Sequence, residues 1–262
     1  FDKPAGDFYS QEKRKEILAE FMPEQFFNAY INQEAPGAGV LFEDGRPFGA
    51  TLLASPTYVN WYAPATSAQA GTIRTDADMT TFLRQHKIRY VYWDLTQAID
   101  ESNPYRSSLR AHLSRFGEPL SFKGGVVMYR LHEEPLLYRD VVRIGDFTAY
   151  TSAAADASAE VSEKGELLLG STPFVLKEFD TGMSSIALYS ASLACPDKGG
   201  SLIAQINWNV GPVYYRSIKC NKDALRVGEA IPIPAGASHG TLIVTARDTA
   251  SMVLKELAVG LR

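Results

Sequence analysis

The hydrophobic pattern changes its period partway along the chain, and that change restricts the fold more than any motif does. Up to about residue 140, segments with apolar residues at helical spacing alternate with short β-branched and aromatic runs. Beyond that point nearly every segment is strand-like. Alternating helices and strands build an α/β layer, whereas many short strands broken by turn residues build an antiparallel sandwich. The order predicts an α+β chain of two domains. Residues 1–140 form an α/β domain with a small sheet, and residues 141–262 form an antiparallel, jelly-roll-like β-sandwich. At 262 residues the chain is long enough for each part to bury a core of its own.

Local signals fill in the first part. Residues 11–21 and 24–34 carry helical spacing on either side of Pro23, which suits a first helical turn. The apolar run 39–42 reads as a buried strand, followed by a loop over 43–49. Thr75 or Asp76 can cap a helix over 77–86, and the run 88–93 follows as a strand. Asn103 and Pro104 start another helix that Gly117 stops, with Leu109, Leu113 and Phe116 toward the core. A hairpin turns about Lys123, Gly124 and Gly125.

In the second part strands are expected at 147–151, 166–169, 173–179, 185–193, 201–208, 213–220, 229–233, 240–246 and 252–259. Leu202, Ala204, Ile206 and Trp208 fall on one face of their strand, the mark of a sheet with one buried side. The Ala- and Ser-rich residues 151–165 read as an exposed loop.

Charge narrows the function classes. A formal net charge of −4 and no dense run of Lys and Arg argue against a nucleic-acid partner. No apolar run approaches the roughly 18–20 residues that span a bilayer, so attachment to a membrane is expected through segments outside this chain. Cys195 and Cys220 are the two cysteines. Paired, they would close a loop worth on the order of 3 kcal/mol and imply an oxidising compartment; unpaired, they would be two small buried apolar residues.

The strong catalytic signatures are missing. Gly37-Ala38-Gly39 precedes a strand, whereas a dinucleotide fingerprint follows one and opens a helix. His86, His112, His132 and His239 are scattered without i, i+4 spacing, so no metal and no cofactor is assigned. The acidic pairs Glu133/Glu134 and Asp76/Asp78 suit a solvated loop and a helix start, with glycoside hydrolysis as the competing use. No catalytic residue is assigned.

Aromatic residues beside amides stand out more, because sugars stack C–H faces on Trp and Tyr while their hydroxyls meet polar groups. Tyr58, Trp61 and Tyr62 lie around Asn60. Trp208, Tyr214 and Tyr215 flank a turn with Asn207 and Asn209. Each set is a candidate glycan platform, with core or interface packing as the alternative.

The segments FNAYINQEAPGAGVLFE (27–43), TDADMTTFLRQHKIRYVYWD (75–94) and RFGEPLSFKGGVVMYRL (115–131) resemble, in order of elements, the extracytoplasmic domain of polytopic membrane glycosyltransferases of the protein mannosyltransferase and aminoarabinose transferase superfamily. The resemblance implies a periplasmic or extracytoplasmic location as part of a membrane protein, and a glycan or lipid-linked sugar acceptor as partner. In that family the acidic catalytic residues sit near the first membrane helices, and no segment here matches them. The C-terminal sandwich departs from the family pattern and is expected to be an added recognition module. A freestanding carbohydrate-binding or cell-surface adhesion protein is the alternative expectation.

Overall fold

The computed structural model of the protein describes residues 23–43, 51–100, 102–148, 159–169, 174–195, 199–220, 224–247 and 252–262. The helix expected over 11–21, and all but the first residue of the loop expected over 43–49, lie outside them.

The first region is a five-stranded mixed sheet with helices on both faces. Its strands are β1 (Gly39–Phe42), β2 (Ser55–Tyr58), β3 (Ile88–Asp94), β4 (Gly117–Lys123) and β5 (Val126–Leu131), in the order β2-β1-β3-β5-β4. β1 runs parallel to β2 and β3, while the β3/β5 and β5/β4 pairs are antiparallel. Alternation along β3 divides the core. Tyr90 and Tyr92 join Phe27 and Ile31 of helix α1 (Pro23–Glu34) in one cluster, and Val91 and Trp93 point into the larger core on the other side. With both faces covered, the strand reads as a nearly continuous apolar run rather than an alternating one.

Three more helices follow: α2 (Pro64–Ala70), α3 (Asp76–Gln85) and α4 (Pro104–Phe116). Thr75 caps α3 in a reciprocal box. Its hydroxyl accepts from the Asp78 N–H at 3.2 Å, and the Asp78 carboxylate accepts from the Thr75 N–H at 2.9 Å. Asn103 caps α4 by accepting from the Arg106 N–H at 3.2 Å. The β4/β5 hairpin turns on Gly124 and Gly125, both at positive φ (55° and 80°), as a two-residue primed turn requires. Gly39 has a different reason. A Cβ there would sit 2.5 Å from the Lys87 carbonyl oxygen, to which the Gly39 N–H donates at 3.0 Å.

The second region is an antiparallel β-sandwich. Its six-stranded sheet holds β6 (Arg139–Ile144), β7 (Ala159–Val161), β8 (Leu167–Leu169), β10 (Ile186–Ala194), β13 (Ala224–Pro232) and β15 (Met252–Leu261). The order is β13-β10-β15-β8-β7, with β6 also on β15. The four-stranded sheet holds β9 (Phe174–Asp180), β11 (Ser201–Trp208), β12 (Tyr214–Lys219) and β14 (His239–Arg247) in the order β12-β11-β14-β9. Leu202, Ala204, Ile206 and Trp208 face inward as their spacing predicts. Cys195, just after β10, and Cys220, just after β12, form a disulfide with Cα atoms 5.6 Å apart, tying the two sheets together.

Three expectations need correction. No strand is formed over the described residues 147–148; the strand is β6, and Phe147 beyond it turns into the core while Asp146 accepts from the Thr148 N–H. The strand expected at 229–233 is the second half of β13, and part of the presumed loop 151–165 is β7, paired with β8.

The two regions share one hydrophobic core, and a buried polar network lies within it. Glu229 on β13 accepts from Trp93 Nε1 at 2.7 Å, from the Tyr214 hydroxyl at 2.9 Å and from Arg216 Nη2 at 2.9 Å. Arg216 reaches across to the carbonyl oxygens of Leu95 and Gln97, each at 2.6 Å. The Tyr129 hydroxyl donates to the Ala230 carbonyl. The segment after β3 lies along the edge strand β12, where the Ile99 N–H donates to the Ser217 carbonyl at 2.8 Å and the Ile99 carbonyl accepts from Lys219 at 3.0 Å. Burial by itself would disfavour the Arg216 charge, but the Glu229 carboxylate outweighs it and holds the guanidinium protonated.

Candidate functional site

The aromatic candidates separate by exposure. Trp208 (8% exposed) and Tyr214 (4%) belong to the sandwich core; Trp208 packs edge-on to Phe179, and Tyr214 is bound to Glu229. Buried rings offer no face to a sugar, so neither serves as a platform. Tyr58 is half-buried and stacked on Phe42 at 5.0 Å. That leaves Trp61 (77% exposed), Tyr62 (55%) and Tyr215 (44%) with open rings.

Trp61 and Tyr62 sit in the turn between β2 and α2. The Tyr62 N–H donates to Asn60 Oδ1 at 3.0 Å, and the Asn60 carbonyl accepts from the Ser67 hydroxyl at 2.6 Å, so the side chain and backbone of Asn60 fix the turn. The two rings lean on each other with centroids 3.5 Å apart and planes 33° apart. Beside them the Asn60 amide Nδ2 is buried without a hydrogen-bond partner, an unused donor at the base of an exposed aromatic pair. Tyr215 lies elsewhere, on the outer face of the four-stranded sheet. There its strand partner is Gln205, whose amide donates to Asn207 Oδ1 at 2.6 Å.

The histidines are spread over separate partners. His86 contacts Gln69 at 2.9 Å, His112 contacts Asp76 at 3.1 Å, His132 contacts Glu118 at 2.7 Å, and His239 faces Glu178 at 3.5 Å. Among the described residues no group of three or more His, Cys, Asp or Glu side chains is placed to hold a metal ion. Burial holds His112 below its ordinary pKa despite the opposing hydrogen bond and charge of Asp76.

A groove of about 750 Å³ runs between α3, the start of β3, α4 and the end of β5. Arg84, Lys87 and Arg89 stand along it, with His112, Phe116, Leu131, His132 and Glu133 opposite. The sequence shows the three cations within six residues, but the concavity depends on α4 and β5, which lie far along the chain.

No protein-family model matches the chain, and no curated protein matches it in sequence. Solved structures superpose on part of it. The enzymatically active domain of bacteriophage CBA120 tailspike protein 4 does so at 10% identity and a TM-score of 0.33, over 42% of this chain and 17% of that one. The carbohydrate-binding module of Cellvibrio mixtus lichenase 5A, solved with cellotriose, does so at 11% identity and 0.33, over 46% and 97%. TmCBM61, solved with β-1,4-galactotriose, does so at 8% identity and 0.32, over 45% and 92%. At such identities and scores the superpositions describe those proteins and decide nothing about this one.

Proposed function

We propose that this chain is a non-catalytic glycan-recognition region whose platform is the Trp61–Tyr62 pair. The observation that carries it is the exposure of two adjacent rings, in contact with each other, on a turn that Asn60 fixes. Two large aromatic rings exposed side by side form an apolar patch of the kind that marks an interaction site, and the C–H face of a sugar ring suits it. Titration of the intact chain with the best ligand from a glycan array tests the reading. Trp61→Ala is expected to weaken binding about tenfold, the equivalent of roughly 1.4 kcal/mol, with Tyr62→Ala close behind. Trp208→Ala is expected to lower stability instead. Retained affinity in a Trp61→Ala/Tyr62→Ala variant, or no glycan bound at all, rules the reading out.

A second reading places this region on the extracytoplasmic side of a membrane glycosyltransferase whose catalytic residues lie elsewhere. Two observations support it. The three segments that resemble that superfamily supply four neighbouring strands of one mixed sheet, β1, β3, β5 and β4, and the Cys195–Cys220 disulfide is compatible with an oxidising compartment. An antibody to this chain should then detect a carbonate-resistant membrane band much larger than 28.8 kDa. A soluble band near that mass would favour a freestanding glycan-binding protein.

A further inference from the structure

We propose that the groove between α3, α4 and β5 binds a phosphate-bearing ligand through Arg84, Lys87 and Arg89. The charge is the first argument. In a chain of net charge −4, three exposed cations line one concavity, and none has an ion-pair partner among the described residues. The other basic groups nearby are engaged: Arg115 pairs with Asp76 at 2.9 Å, and Arg130 and His132 both pair with Glu118. Glu133 is the single carboxylate lining the groove, so the fixed charges sum to an excess of positive charge. A lone carboxylate needs one guanidinium; two guanidiniums and an ammonium suit an anion of higher charge with several acceptor oxygens, such as a phosphoester.

The backbone supplies the second argument. Lys87 follows the last turn of α3 at φ 53°, the one non-glycine residue at positive φ among those described. Glycine or asparagine is the low-energy choice for a left-handed residue ending a helix. A lysine held there places its ammonium at the lip of the groove at a cost in backbone strain, and strain of this kind collects at ligand sites. Its carbonyl is pinned by the Gly39 N–H, which fixes the lip to β1. Attraction to the C-terminal end of the α3 dipole accounts for Arg84, but not for Arg89, the single exposed side chain on β3. The volume suits a ligand larger than a bare ion, and the half-buried Phe116 and Leu131 give its body an apolar wall.

Titration calorimetry of the intact chain with inorganic pyrophosphate at low ionic strength tests the site. Saturable binding is expected, weakened about tenfold or more in Arg84→Gln/Arg89→Gln, the loss of a charge-assisted hydrogen bond or more. Lys87→Asn should weaken binding without lowering Tm, because asparagine accepts the left-handed backbone. Glu133→Gln should strengthen binding, and Arg143→Gln/Arg226→Gln, on the outer face of the six-stranded sheet, should leave it unchanged. Flotation with phosphatidylglycerol vesicles, against phosphatidylcholine alone, distinguishes the sources. Co-flotation lost in the double variant identifies a lipid headgroup, and pyrophosphate binding without co-flotation identifies a soluble phosphoester. No saturable binding of either probe, or equal binding by the Arg84→Gln/Arg89→Gln variant at unchanged Tm, overturns the proposal.

Discussion

The mixed-sheet region and the sandwich spend their polar groups differently. In the sandwich the most deeply buried charges, Arg216 and Glu229, face inward and hold neighbouring parts of the molecule together. The mixed-sheet region buries Asp94 and Arg110 but also carries a cluster of exposed cations, Arg84, Lys87 and Arg89, along the groove, and the exposed rings of Trp61 and Tyr62 on a turn. The sandwich contributes the buried ion pair, and both proposed recognition surfaces lie on the mixed-sheet region.

The sharpest way to break this contrast is to leave one buried charge alone. Glu229→Ala strands the Arg216 guanidinium and takes the acceptor from Trp93 and Tyr214, with an expected cost of about 3–5 kcal/mol. The double change Arg216→Met/Glu229→Leu should recover most of it. Urea unfolding followed by tryptophan fluorescence is expected to show one transition for the native chain, since Trp93 and Trp208 belong to the same core, and separated transitions once the network is broken. Next in size is the disulfide. Cys195→Ala/Cys220→Ala is expected to cost about 3 kcal/mol through the loop it opens, and to loosen amide-exchange protection in β10 and β12 more than in β3.

Within the mixed-sheet region, Thr75→Ala removes half of a capping box and is expected to lower stability by about 1 kcal/mol, read as a shift in the urea midpoint. The smallest effects are those of pH. Burial raises the pKa of Glu118, but hydrogen bonds from His132 and Arg130 lower it further, leaving it under the ordinary 4.5. A folded value below the unfolded one means that this stabilisation is full above pH 4.5 and is lost as pH falls through the folded value. His112, held under 6.5 by burial, resists protonation in the native state, so stability declines as pH falls below 6.5. Urea midpoints at stepped pH should show His112→Gln flattening the decline below 6.5 and Glu118→Gln flattening the one below 4.5.

Much of the architecture was legible because period and punctuation are local signals. The alternation of Leu202, Ala204, Ile206 and Trp208, the caps at Thr75 and Asn103, and the glycine pair at 124–125 each appear in a few consecutive residues. The strand at Arg139–Ile144 was missed because its charged residues, Arg139, Asp140 and Arg143, dilute the apolar pattern on a strand that is half exposed. Site residues were harder. Trp208 and Tyr215 both stand near amides and are both candidates, although the strand parity that puts Trp208 on the buried face with Ile206 argues against Trp208. The same parity places Arg216 between Tyr214 and Ile218 on an inward face, and Glu229 between Val227 and Ile231. A charge on an apolar face was the available signal for the buried pair. The groove had no comparable signal, since its opposite wall comes from residues 112–133.

The pairing of Ile99 with β12 has a practical consequence. β12 is an edge of the four-stranded sheet, and its free N–H and C=O groups are partly met by a segment from the other region. A sandwich cut free at residue 139 would lose that cover and expose a strand able to pair with another molecule. Such a fragment is expected to self-associate on concentration, to elute ahead of its monomer mass in gel filtration, and to be a poor reagent for ligand screening. A fragment that keeps residues 95–103 fused across the edge would remain monomeric at the same concentration.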